Sequence, residues 1–102
     1  MRRFSIDRVA QQEFEEAAAW YEQQEPGLGF EFIAEIDRVL VRIETHDRFV
    51  TQPVAILERG VVRREFVKRF PYLVLFVETD QMRRVIMIRR GNVDPRRWQS
   101  RI

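Results

Sequence analysis

Residues 72–78 read YLVLFVE, six apolar or aromatic side chains in succession before the first charge. Successive side chains of a strand point to opposite faces of its sheet, so a strand wetted on one side alternates apolar and polar residues. This stretch does not alternate, which predicts a central strand buried on both faces. VVRREFV at 61–67 and RRVIMI at 83–88 flank it, both rich in β-branched residues. Phe70-Pro71 and Thr79-Asp80-Gln81 separate the three runs and are short enough for hairpins, which predicts a C-terminal three-strand antiparallel meander.

Upstream the period changes from two to 3.6. Phe14, Ala17, Ala18 and Tyr21 recur at three- and four-residue spacing, which predicts an amphipathic helix over roughly residues 8–24. Asp7 is placed to cap it by accepting a hydrogen bond from a free backbone N–H, and Pro26-Gly27 ends it. Phe32, Ile33, Ile36, Val39, Leu40 and Ile43 continue a helical stripe from about Leu28 to Thr45. Glu31 and Glu35 toward its start and Arg38 and Arg42 toward its end follow the helix dipole. So short a connector makes the two helices antiparallel neighbours. Phe4 and Ile6 alternate with polar residues as a short first strand. Residues 46–60, with Pro53 and Gly60, have no clear period and are expected as a loop, with at most a turn or a short extended piece at Val54–Leu57. The expectation is one α+β domain over 1–102, ordered β-α-α-β-β-β, with the helical hairpin on one face of the sheet.

Composition narrows the function. With no cysteine, disulfides, thiolate catalysis and zinc–thiolate sites are excluded, which suits a reducing cytoplasm. No apolar run approaches the ~18 residues of a membrane span. The formal net charge is +2, but residues 1–58 carry six basic and twelve acidic side chains and residues 59–102 twelve basic and four acidic. Seventeen of the eighteen cations are arginine, the exception being Lys68, a bias toward planar, bidentate contact with carboxylate or phosphate. Arg63, Arg64, Lys68, Arg69, Arg89, Arg90, Arg96 and Arg97 are expected to gather at one end or on the helix-free face of the sheet, and Arg89, Arg90, Arg96 and Arg97 to serve as contacts to a partner, since few acids are near to neutralise them.

Proton carriers are scarce by comparison. The only histidine, His46, follows the second helix and precedes the strands, as an exposed helix-end residue. Tyr72, in a Phe-Pro-Tyr lead into a strand, reads as packing. Glu13, Glu15, Glu16, Glu31 and Glu35 read as a solvated helix surface with no histidine or cysteine to complete a metal site, so neither metal nor cofactor is expected. Trp98 reads as packing the tail against the sheet, and Trp20 as core or partner-facing.

WYEQQEPGLGFEF at 20–32, RREFVKRFPYLVLF at 63–76 and VIMIRRGNVDPRRW at 85–98 together resemble the RelE/ParE superfamily of type II toxin–antitoxin toxins, in its ParE or plasmid-stabilisation branch. The resemblance covers nearly the whole chain and implies the architecture derived above, a cognate antitoxin encoded by an adjacent gene, and a role in stress response. RelE-type members are ribosome-dependent messenger-RNA endoribonucleases that need no metal; ParE-type members inhibit DNA gyrase. Residue by residue, Arg64 falls on a basic strand position, but Phe66 stands where a second cation is expected and Leu73 where the nucleases carry arginine. In the closing pattern histidine-glycine-arginine-arginine-aspartate-proline this chain has Arg90, Gly91, Asn92, Val93, Asp94 and Pro95. Val93 replaces the arginine most tied to cleavage, and Gln99 falls where a catalytic tyrosine would be.

The resemblance therefore implies a ParE-like toxin that acts by binding, with Arg63, Arg64, Arg69, Arg89, Arg90, Arg96 and Arg97 toward its target and Trp20, Arg89 and Arg90 toward its antitoxin. A ribonuclease using Arg64, Lys68 and Tyr72, and an inactive remnant that only binds antitoxin, remain open alternatives.

Overall fold

The computed structural model describes residues 2–91 and 97–102. Its order is β1 (Arg3–Ile6), α1 (Arg8–Gln24), α2 (Leu28–Thr45), β2 (Ala55–Leu57), β3 (Gly60–Phe66), β4 (Tyr72–Glu78), β5 (Met82–Arg90) and a 3-10 helix (Arg97–Arg101). The class is the expected α+β. The sheet runs β1-β5-β4-β3-β2, with β1 parallel to β5 and the remaining pairs antiparallel. The meander is thus present and β4 is its centre. One strand more is found than expected: Ala55–Leu57 pairs with β3 across a two-residue turn, Leu57 opposite Gly60.

β4 is buried on both sides, as its composition requires. Val74 and Phe76 face the helices with Phe32, Ile36 and Ile43, each such side chain contributing roughly 1.5–3 kcal/mol. Leu73, Leu75 and Val77 face the other way, into a second cluster with Val62, Ile86, Met87 and Trp98. A bulge where β4 passes from Leu75 to Phe76 makes Ile86 an extra residue on β5, so Ile86 and Met87 both enter that second cluster. Trp98 is 7% exposed and anchors the tail there, in line with its sequence reading.

The helical hairpin is tied by unusual caps. Gly27, at φ 91°, takes the left-handed turn that reverses the chain and offers no side chain to cap α2. The Glu22 carboxylate does so from α1, accepting the Gly27 N–H at 2.9 Å and the Gly29 N–H at 3.0 Å. At the other end of α2, the Arg83 guanidinium donates to the carbonyls of Ile43 at 2.9 Å, of Asp47 at 3.1 Å and of His46. Asp7 precedes α1 but makes no side-chain cap. Its carboxylate lies 3.1 Å from Arg84 Nε instead, the cation on the neighbouring β5 outcompeting a neutral backbone N–H.

Candidate binding surface

β1 accompanies β5 only from Met82 to Val85, so the stretch of β5 beyond it borders solvent on one edge. Two side chains satisfy its backbone there. Glu13 accepts the Ile88 N–H at 3.1 Å, and Arg101 donates to the Ile86 carbonyl at 3.0 Å. Arg101 also grips Glu13 at 2.8 Å, and Arg89 Nε lies 3.4 Å from the same carboxylate. Glu13 is therefore not part of a solvated surface, and Glu35, expected to be exposed, is buried. Helical periodicity marks the apolar face but cannot register a carboxylate at its border that a distant strand recruits.

Along this edge runs a groove of about 510 Å³ lined by Glu13, Trp20, Tyr72, Arg89, Arg90 and Arg101. Arg90 is its organising cation. Its guanidinium carbon stands 5.7 Å from the Trp20 ring and 5.8 Å from the Tyr72 ring, within the range of a cation–π contact. Trp20 is 47% exposed, which sets aside the core reading of its position. Tyr72 rests on a packed aromatic base, 5.0 Å from Phe32 and 6.1 Å from Tyr21, and Tyr21 and Phe32 are both buried. Burial pushes the Tyr21 hydroxyl above its ordinary value, Tyr72 adds to the rise and Arg90 opposes it, so Tyr21 stays neutral at physiological pH. A second cleft of about 280 Å³, lined by Phe66, Phe70, Pro71, Tyr72 and Arg90, adjoins the groove through Tyr72 and Arg90.

The other sequence-nominated residues divide. Arg64 is exposed on β3 opposite Leu75, hence on the helix-free face, with its guanidinium 5.1 Å from the Phe66 ring. Lys68 is exposed in the following turn. Arg69 holds a positive φ of 70° and pairs with Glu31 at 3.1 Å. Arg97 is exposed on the 3-10 helix. Arg96, with Val93 and the Asp94-Pro95 step, lies outside the described residues. Arg63 stands apart from the groove: its Nε donates to Glu78 at 2.8 Å and its Nη1 to the Thr51 carbonyl at 2.8 Å.

The expectation that few acids neutralise Arg89, Arg90, Arg96 and Arg97 thus needs correction at Arg89, and Arg63 and Arg69 too each have a carboxylate within 4 Å. The partners come from residues 15 to 76 positions away, a separation that sequence pattern does not encode.

The three residues available to a nuclease are not brought together. Tyr72 packs with the helix-side cluster, whereas Arg64 belongs to the opposite face. His46 is an exposed residue at the end of α2, stacked on Phe49 at 5.7 Å, as its position suggested. Among the described residues no group of histidine and carboxylates has the spacing of a metal site, and no helix is long and apolar enough to cross a membrane.

Two larger cavities, about 740 and 640 Å³, open toward the other end of the sheet around Arg2, Asp80 and the Glu78–Arg83 pair or its neighbours. Their cations face Glu58, Glu78, Asp80, Glu44 and Asp47, as Arg89 and Arg101 face Glu13 in the groove, which Glu16 also lines; what sets the groove apart is Arg90, which lies between two aromatic rings with no carboxylate within 4 Å among the described residues. No known family model matches the chain, and no curated protein is similar enough to be matched. Fold and surface together define an α+β domain with an arginine-and-aromatic groove beside a strand edge.

Proposed function

We propose that this protein is the toxin of a type II toxin–antitoxin module, ParE-like, which acts in the cytoplasm by binding its target rather than by breaking a bond. The observation that carries the reading is Arg90 held between Trp20 and Tyr72 at the rim of the groove. Aromatic and arginine side chains of this kind, partly exposed and seated on a rigid core, are what binding hot spots use. An acidic, partly apolar antitoxin segment fits there, its carboxylates meeting Arg89 and Arg90 and its apolar residues Trp20 and the Phe66 cleft. DNA gyrase as the target rests on the family resemblance.

The placement of Arg64 and Tyr72 on opposite faces supports binding over cleavage. Cutting RNA through its 2′-hydroxyl needs a base, an acid and cations around one phosphate, and unassisted proton transfer typically forfeits 10²–10⁴-fold in rate. Purified protein is expected to inhibit gyrase supercoiling, and cells expressing it to stop growing. Co-expression with the product of the adjacent gene is expected to yield a stable complex and relieve the arrest, and Arg90→Ala to weaken both activities. Primer extension on messenger RNA from the arrested cells is the deciding measurement. New ends in the ribosomal A site would replace this reading with the ribonuclease one.

A further inference from the structure

The sheet has two margins, and the fold treats them differently. On one, β1 carries Arg3 and is flanked by Arg2, Asp7 and Arg8, while the open stretch of β5 has its Ile88 N–H and Ile86 carbonyl taken by Glu13 and Arg101. Charges and side-chain plugs of this kind keep an edge from pairing with another chain. On the other margin β2 presents Ala55-Ile56-Leu57, with no charge in the strand. The two-residue turn at Glu58-Arg59 closes on the hydrogen-bonded pair Leu57–Gly60. Alternation therefore turns the N–H and C=O of Ile56 away from β3 and out of the edge. The Ile56 side chain is 81% exposed and Val50 is 97% exposed, more than any other large hydrophobic among the described residues.

Both side chains stand on the helix side of this margin. Ile56 is opposite Val61, which shares its face with Arg63 and Glu65, themselves opposite Phe76 and Val74 of the helix-side cluster. Arg63 donates to the carbonyl of Thr51, next to Val50. The charges on that face are already matched, Arg63 with Glu78 and Glu65 with Arg42.

The strand is complementary to itself. Laid antiparallel on a second copy about Ile56, it sets Ile56 against Ile56, Ala55 against Leu57, Val54 against Glu58 and Pro53 against Arg59, so no charge meets its like. The outward N–H and C=O of Ile56 form the two reciprocal bonds of an antiparallel pair. Registers centred on Glu58 or Arg59 place like charges opposite each other, which disfavours them. The two-fold axis crosses the sheet at Ile56, so both helical hairpins stand on one face with the Ile56 pair between them.

We propose that β2 is the edge through which two copies of this chain pair, joining their five-strand sheets into one. The pairing is independent of the toxin reading. Its contact is short, so the dimer is a weak one that forms as concentration rises.

Sedimentation equilibrium of the intact protein is expected to show a reversible monomer–dimer equilibrium. Ile56→Lys sets two cations against each other on the axis and is expected to weaken the dimer tenfold or more, whereas Arg90→Ala should leave it unchanged. Ile56 is exposed, so circular dichroism is expected to show an intact fold for Ile56→Lys. The chain has no cysteine, so a single introduced thiol reports only its own neighbours. Residues in a hydrogen-bonded antiparallel pair lie about 5.5 Å apart at Cα, within reach of a disulfide. Ile56→Cys is expected to give a covalent dimer on mild oxidation at least tenfold faster than Phe30→Cys, which is exposed on α2. Equal rates for the two thiols overturn the proposal. So does a protein that stays monomeric at every concentration, which would leave the edge to a strand of another protein, or a dimer indifferent to Ile56→Lys, which would assign self-association to another surface.

Discussion

Replacing Arg83 by methionine should be among the most damaging single changes in this domain, although Arg83 does not line the groove. Its side chain is 3% exposed, and its Nε donates to Glu78 at 2.7 Å while its terminal nitrogens hold the carbonyls of Ile43, His46 and Asp47. Methionine keeps much of the stem's volume and removes the charge. Breaking a buried ion pair from one side costs roughly 3–5 kcal/mol. Glu78 still keeps Arg63 at 2.8 Å, and water can reach the exposed residues His46 and Asp47, so the lower end applies, about 3 kcal/mol. For a domain of this size each kcal/mol moves Tm by roughly 4–8 °C, which gives a drop on the order of 12–24 °C. Urea titration at pH 7, followed by circular dichroism, measures it. In a Glu78→Gln background the same change should cost about 1–3 kcal/mol less, because the carboxylate it strands is gone. A loss below about 1 kcal/mol, or strict additivity of the two changes, would refute the account of Arg83 as a clamp between β4 and the end of α2.

Glu78 also sets an acid limit. Burial alone would raise its carboxyl, but the hydrogen bonds from Arg63 and Arg83, with their charges, outweigh burial and hold it below the ordinary value. Its contribution is therefore complete above the unfolded carboxyl's pKa and is lost as pH falls through the lower folded value, so the stability gap between wild type and Glu78→Gln should narrow across that acid interval. Gly29→Ala should destabilise by roughly 1–3 kcal/mol despite the better helix propensity of alanine, since a Cβ there would sit 2.7 Å from the Ala18 carbonyl oxygen and 2.9 Å from Glu22 Cβ; thermal unfolding reads the sign. Trp98→Ala should cost about 3 kcal/mol or more in urea unfolding. Trp98→Phe should stay within about 1 kcal/mol of wild type, because the buried indole N–H it removes has no partner among the described residues.

The elements written in local periodicity were legible in the sequence. YLVLFVE lacks alternation and is buried on both faces, and the 3.6-residue stripe from Leu28 to Thr45 is α2 to the residue. β2 was harder to see because three residues, Ala55–Leu57, hold no period; it exists because β3 turns back on it at Gly60, where a Cβ would collide with the Glu78 carbonyl. Asp7 failed as a cap because Arg84 was nearer in space than any local rule could register. The candidate site was legible by residue type but not by allegiance. Arg63 and Arg90 look alike in the sequence, yet one is committed to Glu78 and the other lies between Trp20 and Tyr72.

The strand order has a consequence for how the chain is made. β1, the first strand to be synthesised, pairs only with β5, the last. The helical hairpin has local contacts and forms early, but the sheet that must cover Phe32, Ile36 and Ile43 is complete only once residues 82–90 have been translated. Until then the nascent chain presents an apolar helical surface with nothing to lay it on, the kind of intermediate that recruits chaperones or aggregates. Pairing of β1 with β5 across so long a separation raises the contact order, which slows folding. A protein that bound the growing hairpin would therefore reach it before the native sheet does.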